Sequence, residues 1–390
     1  MKILLVHNYY LGAGGEDVAF QTETELLRQN GHAVQTLEDR NDRIAGLNPV
    51  SVAIGTIWSE ESRQRLVKIL KHQRPDVVHF QNTFPLISPS AYYACHQANA
   101  AVVQTLPNYR LLCPVATLYR DNHICEDCVG KPIPWPGVLH ACYHDSHAHS
   151  AVVAAMIAVH HMLGTWRKMI DAYIALTEFS RDKFVDGGLP SEKIFMKPNL
   201  ASLDPGQKPG HGDFALFVGR LCEEKGLQTL LSAWRSLSIP LKIVGDGPLK
   251  GEVLEKLRSP DLKAVEYLGV LPHEGVYTAM QKARILIFPS QWYEGFPLTI
   301  VEAFASALPI LSSDIGSQAE IVRNGYSGLH FHAGDTADLR EKVQWCFQNT
   351  DEVLRMGSNA RKEYEEKYKP ERNYQMLMDI YQAALRNRRR

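Results

Sequence analysis

The sequence lacks the features that would place the protein within a membrane, on a nucleic acid or outside the cell. Its 390 residues contain no run of about 18 apolar residues, the length that a membrane-spanning helix needs. Its 42 basic and 43 acidic residues leave a net charge of -1, so no overall basic field favours nucleic acid. The first residues, Met1–His7, show no signal-peptide pattern. We therefore expect a cytoplasmic protein with reduced cysteines.

Strand and helix patterns alternate along the chain, which predicts doubly wound parallel sheets. A stretch rich in proline and glycine, 204–212, is typical of a linker and divides the pattern into two halves of similar size. The sequence therefore predicts two Rossmann-like domains that face a central cleft, where ligands would bind beyond the carboxyl ends of the strands. The predicted strands are 3–7, 33–37, 77–80, 102–106 and 173–176 in the first half, and 214–218, 241–244, 265–268, 285–289, 310–312 and 329–332 in the second.

Two glutamates, Glu294 and Glu302, flank the start of a predicted helix in the second half. Pro297 suits the first turn of this helix, which we predict over 298–308. The free N–H groups of that turn favour an anion, with one carboxylate before it and the other about a turn inside the helix. A sugar nucleotide has hydroxyls at both ends and phosphates between them, and it fits this spacing.

A basic pair follows the first strand of the second half, in the segment Gly219–Gly226. Arg220 and Lys225 supply the fixed positive charge that a diphosphate needs, above all when it leaves. Gly245 follows the next strand and allows the backbone to approach a ligand closely. Leu271, after the strand beyond that, is our candidate for offering backbone groups to a nucleobase.

These motifs resemble those of the retaining glycosyltransferase family 4, the glycosyl transferases group 1. In that family the first glutamate of the E-x7-E motif contacts the donor sugar and the second binds the ribose. The resemblance implies the GT-B fold, with an N-terminal acceptor domain over 1–203 and a donor domain over 204–370. It also implies that a C-terminal helix, 371–390, crosses back to the N-terminal domain.

The activity that the resemblance implies is metal-independent hexosyl transfer of the EC 2.4 type. No cofactor is expected, and the donor is a UDP-sugar, with UDP-glucose as our choice. The acceptor is a saccharide or lipid-linked saccharide in polysaccharide biosynthesis, with peripheral contact at the inner membrane face. The catalytic residues would be Glu294, Arg220 and Lys225. The donor-binding residues would be Gly14, Gly15, Gly219, Arg220, Lys225, Gly245, Leu271, Glu294, Gly295, Phe296, Pro297, Leu298, Thr299 and Glu302.

Polar residues near strand ends in the first half are candidates for the acceptor side or the cleft: His79, Asn82, Asn108 and Glu178. Many family members have a histidine after the strand 102–106, where this chain has Pro107. Proline has no N–H to donate, so either Asn108, Tyr109 or Arg110 takes that role, or the activity is weaker or differently organised.

The segment from Cys113 to His149 is the least regular part of the sequence. Cys125 and Cys128 have the spacing of zinc ligands, and Cys113 and Cys142 lie nearby. Because no second C-x-x-C pair is present, we expect buried thiols or a labile disulfide rather than a metal site.

Three other functions share parts of these patterns. A nicotinamide-dependent dehydrogenase would need a third glycine where the first loop has Asp17. An NDP-sugar epimerase of the same fold would use the same donor, and a non-catalytic sugar-nucleotide-binding protein would accommodate Pro107. We favour the transferase because Glu294, Glu302, Arg220 and Lys225 are all present.

Overall fold

The chain folds into two α/β units in a computed structural model that describes residues 1–12, 14–201, 203–206 and 212–389. The predicted linker, 204–212, lies partly outside these described residues. Unit 1 comprises Met1–Leu118, Cys125–Asn199 and Pro370–Arg390, and unit 2 comprises Tyr119–Ile124 and Leu200–Lys369.

Strands and helices alternate in both units, as the sequence predicts. The strands are β1 (Lys2–Tyr9), β2 (Ala33–Arg40), β3 (Val77–Phe80), β4 (Ala101–Thr105), β5 (Tyr119–Arg120), β6 (His123–Ile124), β7 (Ala172–Ala175), β8 (Ile194–Met196), β9 (Ala215–Val218), β10 (Leu241–Val244), β11 (Val265–Gly269), β12 (Ile285–Phe288), β13 (Ile310–Ser313) and β14 (Gly328–Phe331). The helices are α1 (Gly15–Gln29), α2 (Pro49–Ile57), α3 (Glu60–Gln73), α4 (Ser90–Gln97), α5 (Trp135–Leu139), α6 (His147–Met162), α7 (Thr165–Lys168), α8 (Glu178–Asp186), α9 (Leu227–Trp234), α10 (Lys250–Lys256), α11 (His273–Lys282), α12 (Leu298–Ala305), α13 (Gly316–Ile321), α14 (Thr336–Gln348), α15 (Thr350–Glu363) and α16 (Pro370–Arg389).

Unit 1 is built on a parallel sheet with the strand order β2-β1-β3-β4-β7-β8. Strand β1 pairs with β2 from Lys2 opposite Ala33 onward, and with β3 from Ile3 opposite Val77. Strands β3, β4 and β7 are buried at every position, because helices cover both faces of the sheet. The order reverses direction between β1 and β3, which is the switch point of this sheet.

The last helix, α16, packs on unit 1 against α1, β4 and β7. Asn373 and Tyr381 on this helix are buried, and Tyr374 Oη lies 2.9 Å from His32 Nε2. The chain therefore returns to its N-terminal unit, as the GT-B fold implies.

Unit 2 is built on a second parallel sheet, with the order β11-β10-β9-β12-β13-β14. The switch point lies between β9 and β12, which pair from Ala215 opposite Ile285. Apolar side chains fill both faces: one cluster includes Phe304 and Met280, and the other includes Trp234 and Leu339. A short antiparallel hairpin, β5–β6, is grouped with this unit.

Helix α6 starts at His147, because the Ser146 side chain accepts a hydrogen bond from the His149 N–H and caps the first turn. Val153, Met156 and Ile157 on this helix are buried in the core. Among the described residues, the helices are all too short or too polar to cross a bilayer.

Candidate functional site

The loops at the switch point of unit 2 form the candidate donor site. Ligands of open parallel sheets bind beyond the carboxyl ends of the strands where the strand order reverses. Here those strands are β9 and β12, and the loops that follow them are 219–226 and 289–297.

Glu294 is fixed by three hydrogen bonds to one of its oxygens. The side chain is buried, and Oε1 accepts from Lys225 Nζ at 2.7 Å, Ser290 Oγ at 2.6 Å and Trp292 Nε1 at 2.7 Å. The lysine bond is charge-assisted and is therefore the strongest of the three. The structure thus brings together two of the predicted catalytic residues, one from each loop.

The position of Lys225 depends on the glycine that follows it. Gly226 has a φ of +71°, and a Cβ at this residue would lie 1.9 Å from the carbonyl oxygen of Pro289. Only glycine fits this close contact between the two loops. Lys225 Nζ also lies 5.7 Å from the ring centroid of Trp292, within the range of a cation–π interaction.

A second layer of buried side chains holds the Glu294 loop. Ser313 Oγ donates to the carbonyl of Ser290, and Gln318 Nε2 donates to the carbonyl of Trp292 at 3.2 Å. Ser313 and Gln318 are both fully buried. These supports could not be predicted from the sequence, because only the fold brings β13 and α13 beside the loop.

Glu302 is held by a histidine that the sequence analysis also missed. Glu302 is the fifth residue of α12, and its Oε1 lies 2.9 Å from Nε2 of His273, the first residue of α11. The hydrogen bond to Glu302 raises the pKa of His273 above its ordinary value, although partial burial acts in the opposite direction. His273 could have been proposed from the sequence, because it lies two residues after the predicted site residue Leu271.

The helix between the two glutamates begins where predicted but is shorter. It starts at Leu298 and ends at Ala305 rather than at residue 308, and Ala307 has a φ of +53°. Pro297 occupies the N-cap rather than the first turn. Leu298 and Thr299 lie in that turn, whose N–H groups favour an anion.

Most of the other predicted donor-binding residues pack within unit 2, whereas Arg220 is exposed. A Cβ on Gly245 would lie 1.9 Å from the carbonyl oxygen of Gly219, so these glycines let two loops touch. Leu271 and Phe296 pack their side chains against the apolar core, and Gly295 is half-buried between Phe296 and Glu294. Arg220 is exposed, and in the described part of the chain no carboxylate forms an ion pair with it. Its guanidinium is therefore available to an anionic ligand.

In unit 1, the glycine-rich loop follows β1 at the switch point. Gly14 and Gly15 are exposed, and no atom lies within 4 Å of a Cβ placed on Gly14. Asp17 fixes the loop, since its Oδ2 accepts from the Gly14 N–H at 3.1 Å and its Oδ1 lies 2.9 Å from His7 Nε2. Ala13 of this loop lies outside the described residues.

Asn108 contacts an acid from the same loop region. Its Nδ2 donates to Glu16 Oε1 at 2.7 Å. Burial raises the pKa of Glu16, and the bond from Asn108 opposes this effect. Asn108 is thus the polar side chain beside Pro107. Glu16 was not predicted from the sequence, because an acid in a first helical turn is typical of a group that only complements the helix dipole.

His79 and Asn82 are corrected to structural roles. His79 is 0% exposed, and its ring nitrogens lie 2.9 Å from Tyr381 Oη and 2.7 Å from Thr105 Oγ1. Asn82 is buried and donates to the carbonyl of Asn8 at 2.6 Å. Because these side chains are buried and hydrogen-bonded within unit 1, they are not accessible to a ligand.

Glu178 is exposed at the first position of α8 and pairs with Arg181 at 2.7 Å. Thr177 caps this helix, and Ser180 completes the capping box from the third position. The structure therefore shows a helix-start role for this segment, and a ligand role for Glu178 stays a prediction.

The described residues hold no ready-made metal site. No group of three or more His, Cys, Asp or Glu side chains within 1–12, 14–201, 203–206 and 212–389 is arranged to hold an ion. Burial, together with the nearby Cys113, Cys142 and Cys125, raises the pKa of the Cys128 thiol to about 12. These four cysteines therefore lie near one another in unit 1.

The second half of the chain is similar in sequence to a known family. Residues 202–363 match the model described as Glycosyl transferases group 1. The chain is 30% identical over 173 residues to an uncharacterized glycosyltransferase of Methanocaldococcus jannaschii, with 44% of this chain and 49% of that protein covered. It is also 30% identical over 178 residues to the O-antigen chain mannosyltransferase C of Escherichia coli, with 45% and 48% covered. The chain spans about half the length of these curated relatives.

Structural comparison covers nearly the whole chain. The Anabaena protein HepE, solved in complex with UDP-glucose, superposes with a TM-score of 0.68 at 15% identity, with 97% of this chain and 99% of that chain covered. This likeness concerns the fold. Residues 202–363 are thus similar to the glycosyl transferases group 1, and the chain has the GT-B fold of two parallel-sheet α/β units.

Proposed function

We propose that this protein is a retaining, metal-independent glycosyltransferase of family 4 that transfers a hexose, with glucose as our choice, from a UDP-sugar. The observation that carries the proposal is the contact between Lys225 and Glu294 at the switch point of unit 2. A carboxylate that binds sugar hydroxyls and a cation that binds diphosphate are thereby held side by side. The similarity of the fold to HepE, solved with UDP-glucose, supports the choice of donor.

In the proposed reaction, the residues bind and neutralise rather than attack. Glu294 accepts hydrogen bonds from the donor sugar, Glu302 accepts them from the ribose, and Arg220 and Lys225 neutralise the leaving diphosphate. The bond from C1 to the diphosphate breaks while the acceptor oxygen bonds C1 on the same face. The acceptor proton passes to the leaving phosphate oxygen, so charge and atoms balance without a metal ion.

A donor panel with matched variants tests this proposal. UDP-glucose, UDP-galactose, UDP-N-acetylglucosamine and GDP-mannose are incubated with and without mixed saccharide acceptors, and release of nucleoside diphosphate is followed. We expect release from one donor, reduced about 10²-fold or more in Glu294→Gln, because a group that stabilises the transition state is lost. Glu352→Gln is the control, since Glu352 is exposed and pairs with Arg355 in α15.

The other outcomes assign the protein to a different class. Isomerised sugar without release would indicate an epimerase. Binding without release or isomerisation would indicate a non-catalytic sugar-nucleotide-binding protein. Release of nucleoside diphosphate mainly from GDP-mannose would show that GDP-mannose, rather than UDP-glucose, is the donor. It would favour the activity for which the Escherichia coli relative is named.

For the acceptor, we propose a saccharide or lipid-linked saccharide met at a membrane surface. Apolar side chains are exposed in the cysteine-containing segment and at the end of α6, at Ile133, Trp135 and Met162. Lys131 and Arg167, which are also exposed, add positive charge near them in the chain. Such a combination binds anionic lipid surfaces.

Cosedimentation with vesicles tests the membrane contact. We expect binding to vesicles that contain anionic lipid, weaker binding to neutral vesicles, and loss of binding in Trp135→Ser combined with Met162→Ser. Leu254→Ser is the control, because Leu254 is an exposed apolar residue of unit 2. Equal recovery of all variants with the lipid pellet would contradict the proposal.

A further inference from the structure

A cavity of about 240 Å³ lies within unit 1, away from the glycine-rich loop that follows β1. Residues of α6, α7 and the loop between α8 and β8 line it, together with residues on both sides of the hairpin β5–β6. Lys193, which directly precedes β8, donates to the carbonyl oxygens of Arg167 and Ile170 at 2.7 Å. Helix α7 is therefore tied to the amino end of β8, whereas the glycine-rich loop follows the carboxyl end of β1. In a parallel sheet these ends lie at opposite edges.

The inner wall of the cavity is apolar and contains one unpaired donor. Ile157 and Leu189 are buried there. Trp166 also lines the cavity and is 5% exposed, and its indole N–H has no hydrogen-bond partner among the described residues. A buried N–H without an acceptor is unfavourable, so the indole favours a ligand oxygen in the space beside it. Gly188, with a φ of +90°, borders the same space, where a side chain would strain the backbone.

The exposed part of the lining is basic. Lys131, His161 and Arg167 line the cavity, and all three are exposed. In the part of the chain that the structure describes, none of the lining residues has a carboxylate, and none of these three forms an ion pair. Lys131 Nζ donates to the carbonyl of Asp127 at 2.5 Å, which leaves two of its N–H groups for a ligand. The lining therefore favours an anion.

Exposed apolar side chains adjoin these basic residues. Met162 and Leu163 directly follow His161, and they are 71% and 51% exposed. Ile133, two residues after Lys131, is 54% exposed. A water-soluble anion does not account for such side chains, whereas a bilayer offers lipid phosphates beside hydrocarbon. The surroundings of the cavity therefore favour a phosphate that belongs to a lipid.

We propose that this cavity binds the phosphate headgroup of an anionic membrane lipid, with a phosphomonoester lipid such as phosphatidate as the preferred ligand. Arg167 and Lys131 bind the phosphate oxygens, and the Trp166 N–H donates to the oxygen that lies deepest. A phosphomonoester has three free oxygens for these three donors. Because sites for drug-sized ligands have volumes of about 300–1,000 Å³, this smaller cavity takes the headgroup, and the acyl chains stay in the bilayer. The inference rests on the membrane contact proposed above and gives it a defined ligand.

Indole spectroscopy tests the cavity without a membrane. The protein is labelled with ¹⁵N-tryptophan, the Trp166 signal is assigned from its loss in Trp166→Phe, and monomeric dioctanoyl phosphatidate or inorganic phosphate is added. We expect phosphatidate to shift the Trp166 signal with at least about tenfold higher affinity than inorganic phosphate. The Trp234 signal is the internal control, because its N–H donates to the Ile239 carbonyl in unit 2. An unmoved Trp166 signal, or equal affinity for inorganic phosphate, would overturn the inference.

Matched variants separate the cavity from the general charge of the surface. Arg167→Gln and Lys168→Gln each remove one positive charge from neighbouring exposed residues, and Arg167 lines the cavity whereas Lys168 does not. We expect Arg167→Gln to weaken binding to vesicles that contain phosphatidate by about tenfold, because a charge-assisted hydrogen bond is lost. Lys168→Gln should weaken it by about twofold or less. Because both side chains are exposed, we expect both variants to fold.

The outcomes distinguish this inference from the proposals on which it rests. Equal weakening in the two variants would overturn the phosphate site and leave the membrane contact in place. Absence of binding to every vesicle would overturn both the membrane contact and the lipid ligand. None of these readouts follows release of nucleoside diphosphate, so a failure of the transferase proposal would leave them unchanged.

Discussion

At the scale of single residues, His273 links the nucleotide site to pH. Its pKa is raised above 6.5, first by the hydrogen bond to Glu302. The charged pair is therefore complete below that value and is lost as the pH rises through the raised pKa. Because the His273 side chain is 41% exposed, the pair contributes about 1 kcal/mol or less.

We expect UDP to bind more weakly as this pair is lost, by about fivefold or less. Calorimetric titration across the raised pKa measures the slope, which we expect to flatten in His273→Asn. His332→Asn is the matched control, since Asp338 raises the pKa of this exposed histidine in the same way. If His273→Asn kept the pH slope of the unaltered protein, His273 would have no part in holding Glu302.

The site residues that could be predicted are those whose positions follow from the sequence close to them. Glu294 and Glu302 were predicted because they are only eight residues apart. The loop and the helix start between them therefore fix where both lie. Trp292, two residues from Glu294, and His273, which reaches Glu302 from another helix, gave no such signal. Their roles arise from side chains that meet only after folding. The place of His79 could not be predicted either, because only the fold shows that it is buried in an interior strand, beside Tyr381 and Thr105.

At the scale of elements, the contact between the loops after β9 and β12 holds the donor site together. Gly226→Ala would force a methyl group against the Pro289 carbonyl and would strain a backbone that already has positive φ. We expect this variant to lose UDP binding by about 10-fold or more, because a displaced Lys225 no longer meets Glu294. It is also expected to be less stable by about 1–3 kcal/mol.

Calorimetry of UDP binding and thermal unfolding measure both effects. Gly251→Ala is the control, because Gly251 lies in α10 with open space around it. Alanine there is expected to stabilise the helix by about 0.5–1 kcal/mol and to leave binding unchanged. Unchanged UDP binding in Gly226→Ala would show that the close loop contact does not position the lysine.

The elements that the sequence predicted share a property that the missed ones lack. Strands β3 and β10 have four residues each and were predicted to the residue, because most of their side chains are apolar and buried. Strand β8 has three residues, and β5 and β6 have two each. Such lengths give no readable period, and only pairing with a neighbouring strand defines them.

At the scale of the whole molecule, a buried ion pair joins the two ends of unit 1. Glu23 on α1 contacts Lys197 Nζ at 2.9 Å and His79 Nδ1 at 3.1 Å. Lys197 in turn donates to Asn373 on α16, and Tyr381 on α16 lies 2.9 Å from His79. Residues more than 300 positions apart thus share one polar network, which explains why the last helix belongs with the first strands.

Removing the acid should expose how far this network holds the last helix. Burial alone would raise the pKa of Glu23, but Lys197 and His79 hold it well below its usual range. The pair therefore stabilises the fold above about pH 4.5, and this stability is lost as the pH falls toward the lowered pKa.

In Glu23→Gln the buried Lys197 is left without its carboxylate, which costs about 3–5 kcal/mol of folding free energy. Hydrogen exchange on unit 1 peptides measures this at neutral pH, and α16 should lose protection together with α1. Glu352→Gln, which removes an exposed pair, should change protection by about 0.5 kcal/mol or less. Unaltered exchange of α16 in Glu23→Gln would mean that apolar packing alone holds the returning helix.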